Sequence, residues 1–145
     1  MVNKLKGTLF IERSWGSEIL WGLTDKYVAK TIEVKPDNKT KLIVHEERDK
    51  SIIVIKGPLY LVYGKLGAKD VVEAYKLPEG WAWHIESGNV YRYMAMTSPV
   101  MLIEVSSSDM DVPNHTFSIP CPQLSGIICQ IFLGLLVRKR NIKLL

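Results

Sequence analysis

Lys50-Ser-Ile-Ile-Val-Ile-Lys-Gly-Pro-Leu-Tyr-Leu-Val-Tyr63 places two runs of β-branched, leucine and aromatic residues on either side of a Gly-Pro break. Val, Ile and Tyr suit an extended, pleated backbone, and Gly-Pro is where the chain can reverse. The stretch therefore reads as two strands joined by a turn. Both strands are apolar on both faces, as is Met101-Leu-Ile103. A lone sheet with one wet face alternates more cleanly between apolar and polar residues. A second sheet or a partner subunit is expected to cover the other side.

The same pattern extends in both directions. Thr8–Glu12, Tyr27–Lys35, Lys41–Glu46, Val71–Tyr75, Trp81–Ile85, Asn89–Met96 and Val100–Val105 also read as strands. Between them lie Lys35-Pro-Asp-Asn-Lys39, Gly64-Lys-Leu-Gly67, Leu77-Pro-Glu-Gly80, Glu86-Ser-Gly88 and Ser98-Pro99, each rich in turn formers. Ser17–Leu23 is the one helical candidate before residue 115. Evenly spaced short strands predict an all-β antiparallel sandwich or barrel.

The chain has 145 residues, 47% hydrophobic and 23% charged, which suits one globular domain with a sizeable core. The net charge of +4 is unevenly distributed. Residues 1–115 carry 15 basic and 15 acidic residues; residues 116–145 carry Arg138, Lys139, Arg140 and Lys143 and no acid. A neutral body does not fit a nucleic-acid-binding face, so nucleic acid is not an expected partner. Cys121 and Cys129 form no disulfide framework, and the first residues lack the apolar run of a secretory signal. The expectation is a cytoplasmic protein.

Two segments resemble the paired motifs of the cupin superfamily. Asp37, Ile43, His45, Lys50 and Gly57 match the spacing of Gly, His-x-His, Glu and Gly in the first motif. Gly80, Glu86, Gly88, Tyr91 and Ala95 match Gly, Pro-x-Gly, His and Asn in the second. Ser14-Trp-Gly-Ser-Glu18, Thr24-Asp-Lys-Tyr27 and Val100–Ser106 look like parts of the type II mannose-6-phosphate isomerase cupins. The resemblance implies a cupin double-stranded β-helix, a jelly-roll barrel of about ten strands over residues 1–111. It implies a place in carbohydrate metabolism and polysaccharide biosynthesis. It also implies a metal held at the positions of Ile43, His45, Lys50 and Tyr91. Only one of these, His45, is an ordinary ligand, so no metal or other cofactor is expected.

Strand alternation puts His45, Lys41 and Ile43 on one face, with Lys50, Ile52 and Val54, and Tyr91, Tyr93 and Ala95, facing them. Lys50 has two readings: it holds an anionic group, or it reaches out to the barrel mouth. His45 also has two. Paired with Tyr91 or Tyr93 it imitates the base and acid of the metal-free cupin epimerases; otherwise it is a hydrogen-bonded core histidine. The candidate site is therefore His45 and Tyr91 as catalytic residues, with Lys50, Tyr93, Ile43 and Glu104 contacting ligand. Trp15, Trp21, Trp81 and Trp83 are candidates for stacking on a sugar ring. His84 reads as structural, and His115 lies in the connector.

Three functions follow from different classes. One is a metal-free cupin binding a small anionic ligand, a sugar or sugar phosphate. Another is a sugar-phosphate isomerase or epimerase. The last is a structural or interaction cupin. A homodimer is expected from Leu42, Val44, Ile53 and Ile55, which point away from the inferred cavity. Residues 112–145 form an extension with an apolar run, Leu124–Val137, before the basic end. At 14 residues that run is shorter than the roughly 20 needed to span a bilayer. A docked helix and membrane contact through the tail are both open readings. With every motif before residue 107, the body is expected to fold without Leu124–Leu145.

Overall fold

The computed structural model describes residues 7–45, 48–65 and 72–107, together with two short backbone strands at 117–118 and 142–144. Twelve strands are described: β1 (Leu9–Arg13), β2 (Gly16–Leu23), β3 (Tyr27–Val34), β4 (Ile43–Val44), β5 (Lys50–Lys56), β6 (Leu59–Gly64), β7 (Val72–Leu77), β8 (Ala82–Ile85), β9 (Val90–Met94), β10 (Val100–Ser107), β11 (Phe117–Ser118) and β12 (Ile142–Leu144). They form two six-stranded sheets, ordered β1-β2-β3-β10-β5-β8 and β11-β4-β9-β6-β7-β12. Neighbours pair antiparallel, except that β12 runs parallel to β7. The Gly57-Pro58 reversal carries the chain from β5 in the first sheet to β6 in the second.

The apolar runs are explained by two layers. Along β5, Lys50, Ile52 and Val54 are buried while Ser51, Ile53 and Ile55 are exposed. Along β10, Val100, Leu102, Glu104 and Ser106 are buried. The inward residues meet Leu59 and Leu61 of β6, Leu77 of β7 and Tyr91 and Tyr93 of β9 in one core. A second cluster joins Leu42, Val62, Ala74, Val90 and Met94. The four outward candidates thus separate. Leu42 is buried and Val44 half-buried in that second cluster, whereas Ile53 and Ile55 lie exposed on the first sheet.

The helical reading of Ser17–Leu23 is corrected. The segment is β2, bonded to β1 on one side and β3 on the other. A helix of seven residues is marginal by itself, and neighbours on both edges satisfy the backbone of a strand. No helix occurs among the described residues. The apolar run Leu124–Val137, Cys121, Cys129 and His115 lie outside the described residues.

The turns explain the motif glycines. Gly80 and Gly88 hold φ of 82° and 80°, the left-handed region where a Cβ is disfavoured. Asp37, which stands where the resembling motif has Gly, holds φ of 56°; Asp is among the few side chains that tolerate it. Gly16 is different. A Cβ there would collide with the backbone carbonyl of Glu33 on β3. Gly80→Ala, with open space around it, is expected to cost about 1 kcal/mol from backbone strain alone. Gly16→Ala is expected to cost more, because β2 and β3 must separate. Urea unfolding midpoints check this order; equal midpoints for the two variants would contradict it.

Candidate functional site

Glu104 sits on β10, the strand with β3 and β5 on either side. Cross-strand pairing decides its surroundings. Lys30 of β3 is its direct register partner, and Lys50 of β5 is paired two residues along, opposite Ser106. Both basic side chains share its inward face. The Lys50 ammonium lies 3.1 Å from Glu104 Oε1, and that of Lys30 3.6 Å from the same oxygen. Tyr93, two residues from Tyr91 on β9, donates its hydroxyl to Glu104 Oε2. The carboxylate is 3% exposed.

The network continues in both directions. Lys50 donates to the Tyr91 hydroxyl at 2.7 Å, and that hydroxyl lies 3.1 Å from His45 Nε2. On the other side Lys30 is 3.0 Å from Glu18 Oε1, and Arg13 donates through Nε and Nη2 to Glu18 Oε2. The run of contacts is therefore Arg13, Glu18, Lys30, Glu104, Lys50, Tyr91, His45.

Charge explains the protonation states. Burial alone would raise the Glu104 pKa, but Lys50, Lys30 and the Tyr93 and Lys50 hydrogen bonds outweigh it and hold the value at about 2. Burial lowers Lys50, with Glu104 opposing and Lys30 adding to the fall. The two partners thus pull in different senses. The short contacts to a carboxylate and a phenol support the charged pair at neutral pH. Burial and the Lys50 charge lower His45 to about 4, so at neutral pH its ring is uncharged. Burial and the Glu104 charge push Tyr91 well up. With Lys50 donating to it, the phenol is left to donate its own proton to His45 Nε2.

A cavity of about 640 Å3 opens against this network. Its wall includes Arg13, Trp15, Glu18, Lys30, Lys39, Thr40, Lys41, Ile43, Tyr91, Tyr93 and Glu104. Of the six residues proposed from sequence, Ile43, Tyr91, Tyr93 and Glu104 line it. His45 and Lys50 are not among the lining residues; they back Tyr91 and Glu104. Trp15 lines the cavity. Trp21 and Trp81 are exposed, and Trp83 packs with Tyr63 and Tyr75. His84 is exposed and lies 3.3 Å from Ser51 Oγ.

Sequence reasoning missed Arg13, Glu18 and Lys30. Period-two alternation through Ile32 and Val34 would have turned Lys30 inward. Reading Ser17–Leu23 as a helix hid Glu18.

A divalent cation does not fit. The four positions that the resemblance assigns to metal ligands do converge: Ile43 is the register partner of Tyr91, and Tyr91 touches both Lys50 and His45. The donors are wrong. Ile43 has no lone pair, Tyr91 is held protonated, and the Lys50 ammonium stands among the remaining oxygens. A second positive charge there would meet repulsion of several kcal/mol at an effective dielectric of ~20. Among the described residues no three His, Cys, Asp or Glu side chains group around a common point.

No family model and no curated protein sequence matches the chain. Solved structures do. The capsular polysaccharide assembling protein CapF from Staphylococcus aureus is similar at TM-score 0.65 and 14% identity, over 77% of this chain and 34% of that one. An RmlC-like cupin from Shewanella frigidimarina is similar at TM-score 0.58 and 15% identity, over 72% and 87% of the two chains. A sugar phosphate isomerase of the cupin superfamily from Silicibacter pomeroyi is similar at TM-score 0.50 and 20% identity, over 65% and 67%. This chain thus spans about a third of CapF. These likenesses establish the cupin fold.

Both acid titrations act in one direction. Glu104 binds its proton near pH 2 when folded and at the ordinary 4.5 when unfolded, so its contribution is present above pH 4.5 and lost as pH falls toward 2. That contribution is on the order of 3 kcal/mol. His45 titrates at about 4 when folded against 6.5, so the unfolded chain gains the proton first and stability falls from pH 6.5 toward 4. Unfolding free energies at several pH values should drop in both windows. In His45→Asn the upper drop should be absent; its persistence would remove His45 as its source.

Proposed function

We propose that this cupin-fold chain binds a small anionic ligand, a sugar or sugar phosphate, in the cavity between its sheets, without a metal. The observation that carries the reading is the cavity wall. Arg13, Lys30, Lys39, Lys41 and Arg92 line it against Glu12, Glu18 and Glu104, with Lys50 behind. Basic groups outnumber acidic ones there, although the body of the chain is neutral overall. Glu18 and Glu104 are engaged by Arg13, Lys30 and Lys50. The remaining positive field favours an anion, and an anion at the mouth would be met by Lys41 and by Arg13 Nη1, the guanidinium nitrogen that Glu18 leaves unengaged. Trp15 offers an aromatic face to a sugar ring. Two cysteines without a disulfide framework support a cytoplasmic setting for this binding.

Isomerase or epimerase chemistry is the second reading, favoured by one observation. Tyr91 lines the cavity with His45 at 3.1 Å and Lys50 at 2.7 Å behind it, a chain along which a proton could pass. The same geometry speaks for binding first. A phenol pushed up and an imidazole held near 4 are both far from neutral pH, where general acid–base groups work best.

Calorimetric titration with mannose 6-phosphate, mannose and inorganic phosphate, with and without divalent metal, tests both readings. Mannose 6-phosphate should bind, with or without metal, and bind more tightly than mannose. Arg13→Gln should weaken it by about tenfold, the loss of ~1.4 kcal/mol expected for one charge-assisted contact. Trp15→Ala should weaken mannose 6-phosphate more than phosphate. No heat from any of the three would remove the binding reading. Conversion of mannose 6-phosphate that is lost in Tyr91→Phe would favour the enzyme.

A further inference from the structure

The two sheets differ in what lies outside them. On the first, the residues turned away from the core are open to water: Phe10 is 63% exposed and Ile55 46%. On the second, the outward residues are shut off. Val62 of β6, Ala74 of β7, and Val90 and Met94 of β9 are at most 7% exposed, and Leu42, just before β4, packs with them. Register puts them on the outer face. Val62 pairs with Ala74 and with Arg92, and the residues on either side of Arg92, Tyr91 and Tyr93, point into the core. Arg92 stands among the outward residues and is buried too. No described strand lies over this face, because all of them belong to the two sheets. Within a single chain these side chains are already closed off from water, so the cover comes from the same polypeptide.

We propose that the chain between β11 and β12, residues 119–141, crosses the outer face of the second sheet, and that the apolar run Leu124–Val137 is what covers it. Strand direction carries the assignment. β11 and β12 form opposite edges of the sheet. Four antiparallel pairings lead from β11 to β7, and β12 runs parallel to β7, so β11 and β12 point the same way. Parallel strands of one sheet are joined by a crossover that passes over one of its faces. The inner face is filled by the core shared with the first sheet, which leaves the outer one. Length agrees. Six strands about 4.8 Å apart put the two edges ~24 Å from one another. The run of 14 residues is ~21 Å long as a helix, with five residues before it and four after it to make the turns. Chemistry agrees as well. Gln130 is the one strongly polar residue of the run, which suits a face of valine, leucine, alanine and methionine. The other segments outside the described residues, 1–6, 46–47 and 66–71, are far shorter, and the last only joins β6 to β7. The run is then a third layer of the fold, and its apolar surface is not left for a bilayer. The tail belongs to the body, where the motif positions by themselves point to a body complete before residue 107.

Photo-cross-linking of the full chain tests the proposal. With p-benzoylphenylalanine in place of Tyr60, a half-buried neighbour of the covered cluster, irradiation should join that position to a peptide from within 124–137 of the same chain. Replacing residues 124–137 by a Gly-Ser linker of equal length should lower the urea midpoint and increase the binding of an apolar dye. The full chain should not float with vesicles of phosphatidylcholine and phosphatidylglycerol. Cross-links that join only separate chains, or that never reach 124–137, overturn the proposal. The cross-link is read on the full chain, so it decides the matter even where the linker variant does not fold. An unchanged midpoint and dye response in the linker variant overturn it as well. Flotation of the full chain that the linker variant loses would assign the run to a lipid surface instead.

Discussion

A carboxylate closed off from water dictates much of this molecule. Glu104 is buried on a strand flanked on both sides, where an uncompensated charge would cost several kcal/mol. Compensation comes from cross-strand geometry. Lys30 stands opposite it, Lys50 is displaced by one repeat of the same face, and Tyr93 reaches across from the other sheet. The pairing registers of β3, β10 and β5 are thereby tied to one electrostatic requirement. A slip of one residue would turn Glu104 outward and leave Lys50 facing a core with no counter-ion.

That requirement also shapes the cavity. Lys50 is occupied by Glu104 and Tyr91, so it acts on a ligand through them. Its charge keeps Glu104 ionised and adds to burial in keeping His45 neutral. Arg13 and Lys41, by contrast, are exposed, and Trp15 lines the same cavity. The cavity thus has an inner wall whose charges, from Arg13 and Glu18 to Lys50 and Glu104, are satisfied among themselves, with Lys41 exposed beyond them. Such an arrangement suits recognition, because the inner network is organised before any ligand arrives.

Much of the architecture was legible from spacing. Nine strand positions between Thr8 and Val105, the turns between them and the inward face of Ile52, Val54, Tyr91 and Tyr93 follow from period-two alternation and turn residues. The motif spacing also located the convergence of Ile43, His45, Lys50 and Tyr91, although three of the four are not metal ligands. The site was legible only in part. Ser17–Leu23 has no strict alternation because Trp21 sits at an irregularity in the β2–β3 register, and so Glu18 was not placed. Arg13 and Lys30 look like ordinary surface charges until β2 and β3 are laid side by side. The outward residues were read as one patch, yet Leu42 packs into the cluster on the second sheet while Ile53 is exposed on the first.

What the amino-acid order determined by itself is local: which segments extend, where they turn, and which alternate residues share a face. Those properties depend on backbone sterics and on a repeat of two, both of which act between near neighbours. What only the tertiary structure decided is pairing. Glu104 meets Lys50 across 54 positions and Tyr91 meets His45 across 46, contacts set by the strand order of two sheets. Whether a lysine is a ligand-binding cation or the counter-ion of a buried glutamate depends on that order. The same side chain, at the same place in the sequence, has either role according to what the fold sets within hydrogen-bond reach of it.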